Sequence, residues 1–127
     1  MQDLTFVIGE DRAVAEIWET LGNIDITMQA SCTFPRLEGR IVHIVVKDDE
    51  ADRAYEALRE QNFIPLDRRE VLLANLEVRP GELGRMARRI ADAGAKLFIL
   101  YLASDNRVVI GASDLEKVAE VLDVSEE

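Results

Sequence analysis

The sequence predicts an α+β fold in which one split β-α-β plan occurs twice, and three observations carry that expectation. Four segments place apolar residues at relative positions 0, 3, 4 and 7, the spacing of one helix face. Runs rich in β-branched and other apolar residues lie between them and read as strands. In order, the chain reads strand, helix, strand, strand, helix, a linking strand, then helix, strand, strand, helix. Each copy is therefore a ferredoxin-like βαββαβ repeat, an antiparallel sheet with its helices on one face. The copies occupy residues 1–69 and 70–127.

Residues 4–8 form the first predicted strand, and the first helix follows with Val14, Ile17, Trp18 and Leu21 on its apolar stripe. Strands are predicted over 24–34 and 41–46. The second helix buries Ala51, Ala54, Tyr55 and Leu58, and Asp49 with Asp52 provides a cap and a carboxylate three residues apart. A linking strand spans 64–78, its stretch 71–78 being the opening strand of the second copy. The third helix has Pro80 in its first turn and Leu83, Met86, Ala87 and Ile90 on its buried face, with Arg85, Arg88, Arg89 and Asp92 left for water. Strands at 97–103 and 107–110 precede a fourth helix carrying Leu115, Val118, Ala119 and Leu122, opened by Ser113 and Glu116. Only residues 123–127 remain, so the second repeat lacks a full final strand and leaves a sheet edge open or filled by another chain. The run 97–103 is apolar at every position, which predicts burial on both faces, either by the other half of the chain or in a homodimer.

Charge and composition narrow the function. Fifteen Lys and Arg against twenty-five Asp and Glu give a net charge of −10, which opposes the phosphate contacts that drive nucleic-acid binding. No apolar run reaches the ~20 residues that span a bilayer, and residues 1–4 have neither a basic start nor a signal core. A cytoplasmic protein with no nucleic-acid or membrane partner is expected. One cysteine and one histidine provide neither a disulfide framework nor a zinc cluster, and no cofactor or metal is expected. Cys32 reads as an inert strand thiol, and His43, among Ile41, Val42, Ile44 and Val45, reads as a hydrogen-bonded sheet residue. The group Asp48, Asp49, Glu50 and Asp52 lacks the glycine and alternation of a calcium loop and is explained by a helix start. No catalytic residue emerges.

One loop is more specific. Arg79, Pro80, Gly81, Glu82, Leu83 and Gly84 join a strand to a helix, where the first N–H groups have no internal partner and hold a carboxylate or phosphate. An ordinary tight turn is the plainer reading. The spacing matches neither a dinucleotide fingerprint nor a P-loop.

From this loop onward the second half resembles the ACT domain, a small ferredoxin-like module that binds amino acids and regulates metabolic enzymes. The resemblance runs through Val78-Arg-Pro-Gly-Glu-Leu-Gly-Arg-Met-Ala87, then Ile90-Ala-Asp-Ala-Gly-Ala95, then Leu97 and Leu100-Tyr-Leu-Ala103. Residues 1–69 match in element order only, with Gly9-Glu-Asp-Arg-Ala-Val14 in place of the Pro-Gly loop. The chain thus resembles a stand-alone tandem ACT protein with a degenerate first copy. The resemblance implies an amino acid or related small carboxylic acid held between paired modules, its carboxylate on the loop from Arg79 to Gly84. Some serine-binding relatives carry Asn where this chain has Val78 and Lys96, which points away from serine. Lys96 then either offers a positive charge to an acidic ligand or is a solvated lysine at a strand start, the commoner role, and Glu10 and Asp11 either offer contacts to a ligand ammonium across the interface or simply open the first helix. The expected function is a regulatory, non-enzymatic homodimer acting on a separate enzyme. The alternative is a ligand-free dimerisation or adaptor module.

Overall fold

The opening strand, β1 (Gln2–Ile8), turns Leu4, Phe6 and Ile8 to one face, because successive side chains of a strand alternate. The computed structural model describes residues 1–122, and its contacts divide into two units, Met1–Arg69 and Glu70–Glu127. In the first unit α1 (Arg12–Asn23), β2 (Ala30–Pro35), β3 (Arg40–Val46), α2 (Ala51–Glu60) and β4 (Asp67–Glu70) follow β1. The sheet order is β2-β3-β1-β4, with β3 antiparallel to both of its neighbours. The register sets Leu4 opposite Ile44 and Phe6 opposite Val42, and these four meet Ile17 and Leu21 of α1 and Ala54 and Leu58 of α2. Each fully buried large side chain here contributes ~1.5–3 kcal/mol relative to exposure.

Both helices of this unit close in the same way. The Ile26 N–H donates to Leu21 O at 3.0 Å and the Asp25 N–H to Gly22 O at 3.1 Å, with Asp25 at φ 57°. The Phe63 N–H donates to Leu58 O and the Asn62 N–H to Arg59 O, both at 2.9 Å, with Asn62 at φ 68°. This is the Schellman closure, in which one left-handed residue lets two N–H groups satisfy the last carbonyls. It explains a correction: the strand expected over 24–34 begins only at Ala30, because Asp25 and Ile26 are committed to ending α1. The capping pair Asp49 and Asp52 is also absent. A 3-10 turn, Asp48–Glu50, leads into α2, and no side chain caps it. Trp18 is 37% exposed, and its Nε1–H donates to Ser31 at the sheet edge.

On the sheet face away from these helices, fully buried Asp3 accepts from Thr5 Oγ1 at 2.6 Å and lies 3.2 Å from His43 Nδ1. His43 is thus a hydrogen-bonded sheet residue. Arg68 on β4 reaches Asp52 at 2.7 Å, bonds Gln2 and lies over the Tyr55 ring, tying β4 to β1 and α2.

The second unit holds β5 (Leu72–Asn75), α3 (Glu82–Asp92), β6 (Leu97–Ala103), β7 (Arg107–Ala112) and α4 (Leu115–Leu122). Among the described residues its sheet has three strands, ordered β5-β7-β6, and the reading of 123–127 lies outside them. The linking strand expected over 64–78 is two strands, β4 and β5, interrupted at Val71, and residues 76–81 form the loop before α3. Ser104, Asp105 and Asn106 join β6 to β7, with Asp105 and Asn106 at φ 58° and 55° and the Arg107 N–H donating to Ser104 O. Met86 and Ile90 of α3 and Val118 and Ala119 of α4 pack on Leu72, Ala74, Val108 and Ile110. Gly94, at φ 81°, closes α3 with its N–H on Ala91 O. Asp114, rather than Ser113, caps α4 through Lys117 N–H. Ser113 exchanges hydrogen bonds with the Lys96 backbone instead. Ile99 and Val109 are buried although they lie on the sheet face opposite α3 and α4.

Candidate functional site

The loop before α3 is shaped by Gly81, whose φ of 84° is a left-handed conformation that costs an L-residue side chain dearly. Gly81 is the N-cap, and α3 starts at Glu82, so Pro80 stands before the helix and not within its first turn. The Arg85 N–H donates to Gly81 O at 2.9 Å. Gly84 lies inside the helix with open space where a Cβ would project.

The Glu82 carboxylate sits where the helix dipole favours an anion and gathers two guanidinium groups. Its Oε1 accepts from Arg79 Nη2 at 2.8 Å and from Arg85 Nη2 at 2.6 Å. Arg85 also donates to Pro80 O, and Arg79 pairs with Glu77 at 2.9 Å. The Arg85 hydrogen bond, more than the Arg79 charge, holds the Glu82 carboxyl below its ordinary value of 4.5, against a smaller opposing effect of burial. The loop therefore carries its own anion, which the sequence did not reveal.

A cleft of about 310 Å³ opens beside the loop, within the second unit. Leu76, Met86 and Leu122 give it apolar walls, while Arg79, Arg85, Arg89, Glu77 and Glu82 supply charge and Asn75 stands at its edge. Arg85 and Arg89 are exposed, as their place off the apolar stripe predicts. Their spacing from Glu82, three and seven residues on, was the signal that they share its helix face.

The other expected residues lie elsewhere. Lys96 stands beyond the first residue of β6, whose Leu97 pairs with Ala112, whereas the loop leaves the sheet at Asn75, which pairs with Arg107. Those are opposite ends of β7, so the second unit does not bring Lys96 to the loop. In the first unit Asp11 meets Arg40 at 3.4 Å, and neither Glu10 nor Asp11 caps α1 by its side chain. Gly9 has no left-handed φ, so the Gly81 turn has no counterpart there. Among the described residues no group of three or more His, Cys, Asp or Glu is placed to hold a metal ion, and no helix is long and apolar enough to cross a membrane.

Two βαββαβ-like units, each with helices on one face of an antiparallel sheet, give the chain an α+β fold that matches the tandem ACT-domain fold. Among particular proteins, the chain is similar to protein BT0572 from Bacteroides thetaiotaomicron, at 26% identity and TM-score 0.80 over 96% of this chain and 85% of that one. It shares its fold with the regulatory subunit of aspartate kinase from Thermus thermophilus, at 17% identity and TM-score 0.70 over 98% and 91% of the two chains. The corresponding subunit from Thermus flavus gives 17% and 0.71 over 96% and 88%. No family model and no curated protein matches the sequence.

Proposed function

We propose that the chain is a regulatory binding module without catalysis of its own, whose ligand is an amino acid or related small carboxylic acid and whose target is a separate metabolic enzyme. The observation that carries this reading is a fold shared over nearly the whole chain with regulatory subunits, together with the Arg-Pro-Gly-Glu-Leu loop at the start of α3. The loop from Arg79 to Gly84 holds the ligand carboxylate by its free helical N–H groups. Glu10 and Asp11 serve a ligand ammonium, and Lys96 an acidic ligand, only where a neighbouring module carries them to the loop. The protein works in the cytoplasm as a homodimer, which light scattering of the purified chain tests.

A thermal-shift screen against the twenty amino acids and a few oxo and aromatic acids tests the ligand. A specific ligand at a hundredfold excess over its dissociation constant adds ~2.7 kcal/mol to stability. Gly84→Leu is the matched variant, because it adds a side chain within the first turn of α3, where a Cβ meets open space, without straining the backbone. Loss of the shift in Gly84→Leu supports the loop. A flat screen supports instead the ligand-free adaptor, a reading favoured by the first unit's loop, where Arg40 occupies Asp11 and no left-handed glycine stands.

A further inference from the structure

We infer that Cys32 is a reactive thiol, activated by His43 across the β2–β3 pair, and a site of mixed-disulfide formation with a low-molecular-weight disulfide. The inference lies in the first unit and is independent of the loop before α3. The register sets Cys32 directly opposite His43, and His43 directly opposite Thr5, on the sheet face away from α1 and α2. Side chains paired in this way begin ~4.5–5.5 Å apart.

The hydrogen bonds fix which nitrogen of the ring takes up a proton. Thr5 Oγ1 gives its one hydrogen to Asp3 Oδ2 at 2.6 Å, so its 3.0 Å contact with His43 Nδ1 requires the N–H on Nδ1. The same N–H is shared with Asp3 Oδ2, 3.2 Å away. Nε2 is therefore the basic nitrogen of the neutral ring, and the base is oriented by a third group, as a nucleophile–base pair requires. The Phe34 ring, 6.1 Å from the imidazole between centroids, sets the imidazole against β2, the strand that carries Cys32. Charge favours the same transfer. Asp3 is fully buried, and its Oδ1 has no hydrogen-bond partner among the described residues. A buried carboxylate short of partners is stabilised by a cation beside it, and the Cys32 proton, once on His43, supplies that cation without bringing a charge in from water. Arg68 of β4 turns to α2, so its neighbours Asp67 and Arg69 share the face of His43, and these two pair with each other.

Cys32 is half-buried, which leaves a small disulfide a way to reach it. In the reaction the Cys32 proton moves to His43 Nε2 and the sulfur attacks one sulfur of the disulfide. The old S–S bond breaks as the new one forms, and the departing thiolate takes the proton back from His43. The disulfide is itself the oxidant.

The single cysteine of the chain makes the readout unambiguous. The protein is mixed with oxidised glutathione along a pH series, adduct formation is followed by intact mass, and N-acetylcysteine serves as the reference thiol. At about pH 6.5 an ordinary thiol is only ~1% thiolate, and Cys32 is expected to react roughly tenfold faster than the reference or more. His43→Gln keeps an N–H for Asp3 and Thr5 but accepts no proton, and is expected to slow the reaction roughly tenfold or more and to return the pH profile to that of the reference. Asp3→Asn, at a positioning residue, is expected to move the profile the same way, which a merely structural role would not do. A parent whose rate climbs with pH as N-acetylcysteine does, or a His43→Gln variant that reacts as fast as the parent, overturns the inference. The parent's profile decides the matter even where a variant fails to fold.

Discussion

Replacing glycine by alanine in the first turn of α3 and just past its end has opposite consequences in this chain. Gly84 lies within α3 at an ordinary helical φ, and nothing stands within 4 Å of the Cβ that alanine would add. Alanine there gains helix propensity, worth ~0.5–1 kcal/mol in a helix interior and toward the lower figure in the first turn. Gly94 has equally open space but a φ of 81°. A left-handed L-residue costs ~1–2 kcal/mol, of which the reduced freedom of the unfolded chain returns ~0.4–1 kcal/mol. The net expectation is a loss of about 1 kcal/mol for Gly94→Ala and a gain of about 0.5 kcal/mol for Gly84→Ala. The two variants, identical in composition, then differ by about 1.5 kcal/mol, close to a factor of ten in the folding equilibrium. Urea unfolding at equilibrium measures this, with m values expected to stay equal because neither change alters the buried surface. Shifts of the same sign, or a Gly94→Ala variant as stable as the parent, would refute the assignment of strain to position 94. Gly94→Asn is the internal control, because Asn62 fills the corresponding position of α2, and it is expected within ~0.5 kcal/mol of the parent.

Glu82→Gln should lower stability above pH 4.5, since a depressed carboxyl contributes fully above its ordinary value. The difference from the parent should shrink as pH falls below 4.5 and vanish once the depressed group is protonated, as urea melts along a pH series would record. Leu58→Ala empties a fully buried site that also closes α2, and should cost ~2–5 kcal/mol by denaturant titration. His43→Ala removes a hydrogen-bonding partner from buried Asp3 and should cost ~1–3 kcal/mol, visible as a lowered Tm. Arg68→Ala should cost ~1 kcal/mol, and Arg68→Lys should recover only part of it, because lysine lacks the planar fork that reaches Asp52 and Gln2 together.

The helices were legible because burial repeats with their period: Val14, Ile17 and Leu21, then Ala51, Ala54 and Leu58, fall on the stripes that spacing marked. The order of elements followed from those stripes and the apolar runs between them. Boundaries were less legible where backbone, not hydrophobicity, decides them. Residues 24–29 read as strand by composition, yet the left-handed Asp25 spends Ile24 to Ile26 on closing α1, and β2 begins only at Ala30. The linking segment reads as one strand although the polar run Asp67-Arg-Arg-Glu70 precedes Val71, and hydrogen bonding divides it between two sheets. At the candidate site, glycine and proline marked the turn before α3, since their conformational demands are local. The ion pairs of Arg79, Glu82 and Arg85 depend on rotamers, and the walls of the cleft bring Leu122 to Leu76 across 46 residues of sequence. No spacing rule reaches that far.

The carboxylate of Glu82 also sets terms for anything else that approaches the loop. It is tethered three residues from each of its guanidinium partners, so it acts as a resident anion at an effective concentration of roughly millimolar or above. Phosphate, chloride and other passing anions compete with it at a disadvantage and are kept off Arg79 and Arg85. The ligand proposed above would have to add contacts that Glu82 cannot make, so on that proposal the residue that pairs with the loop's arginines also sets the ligand concentration the loop needs.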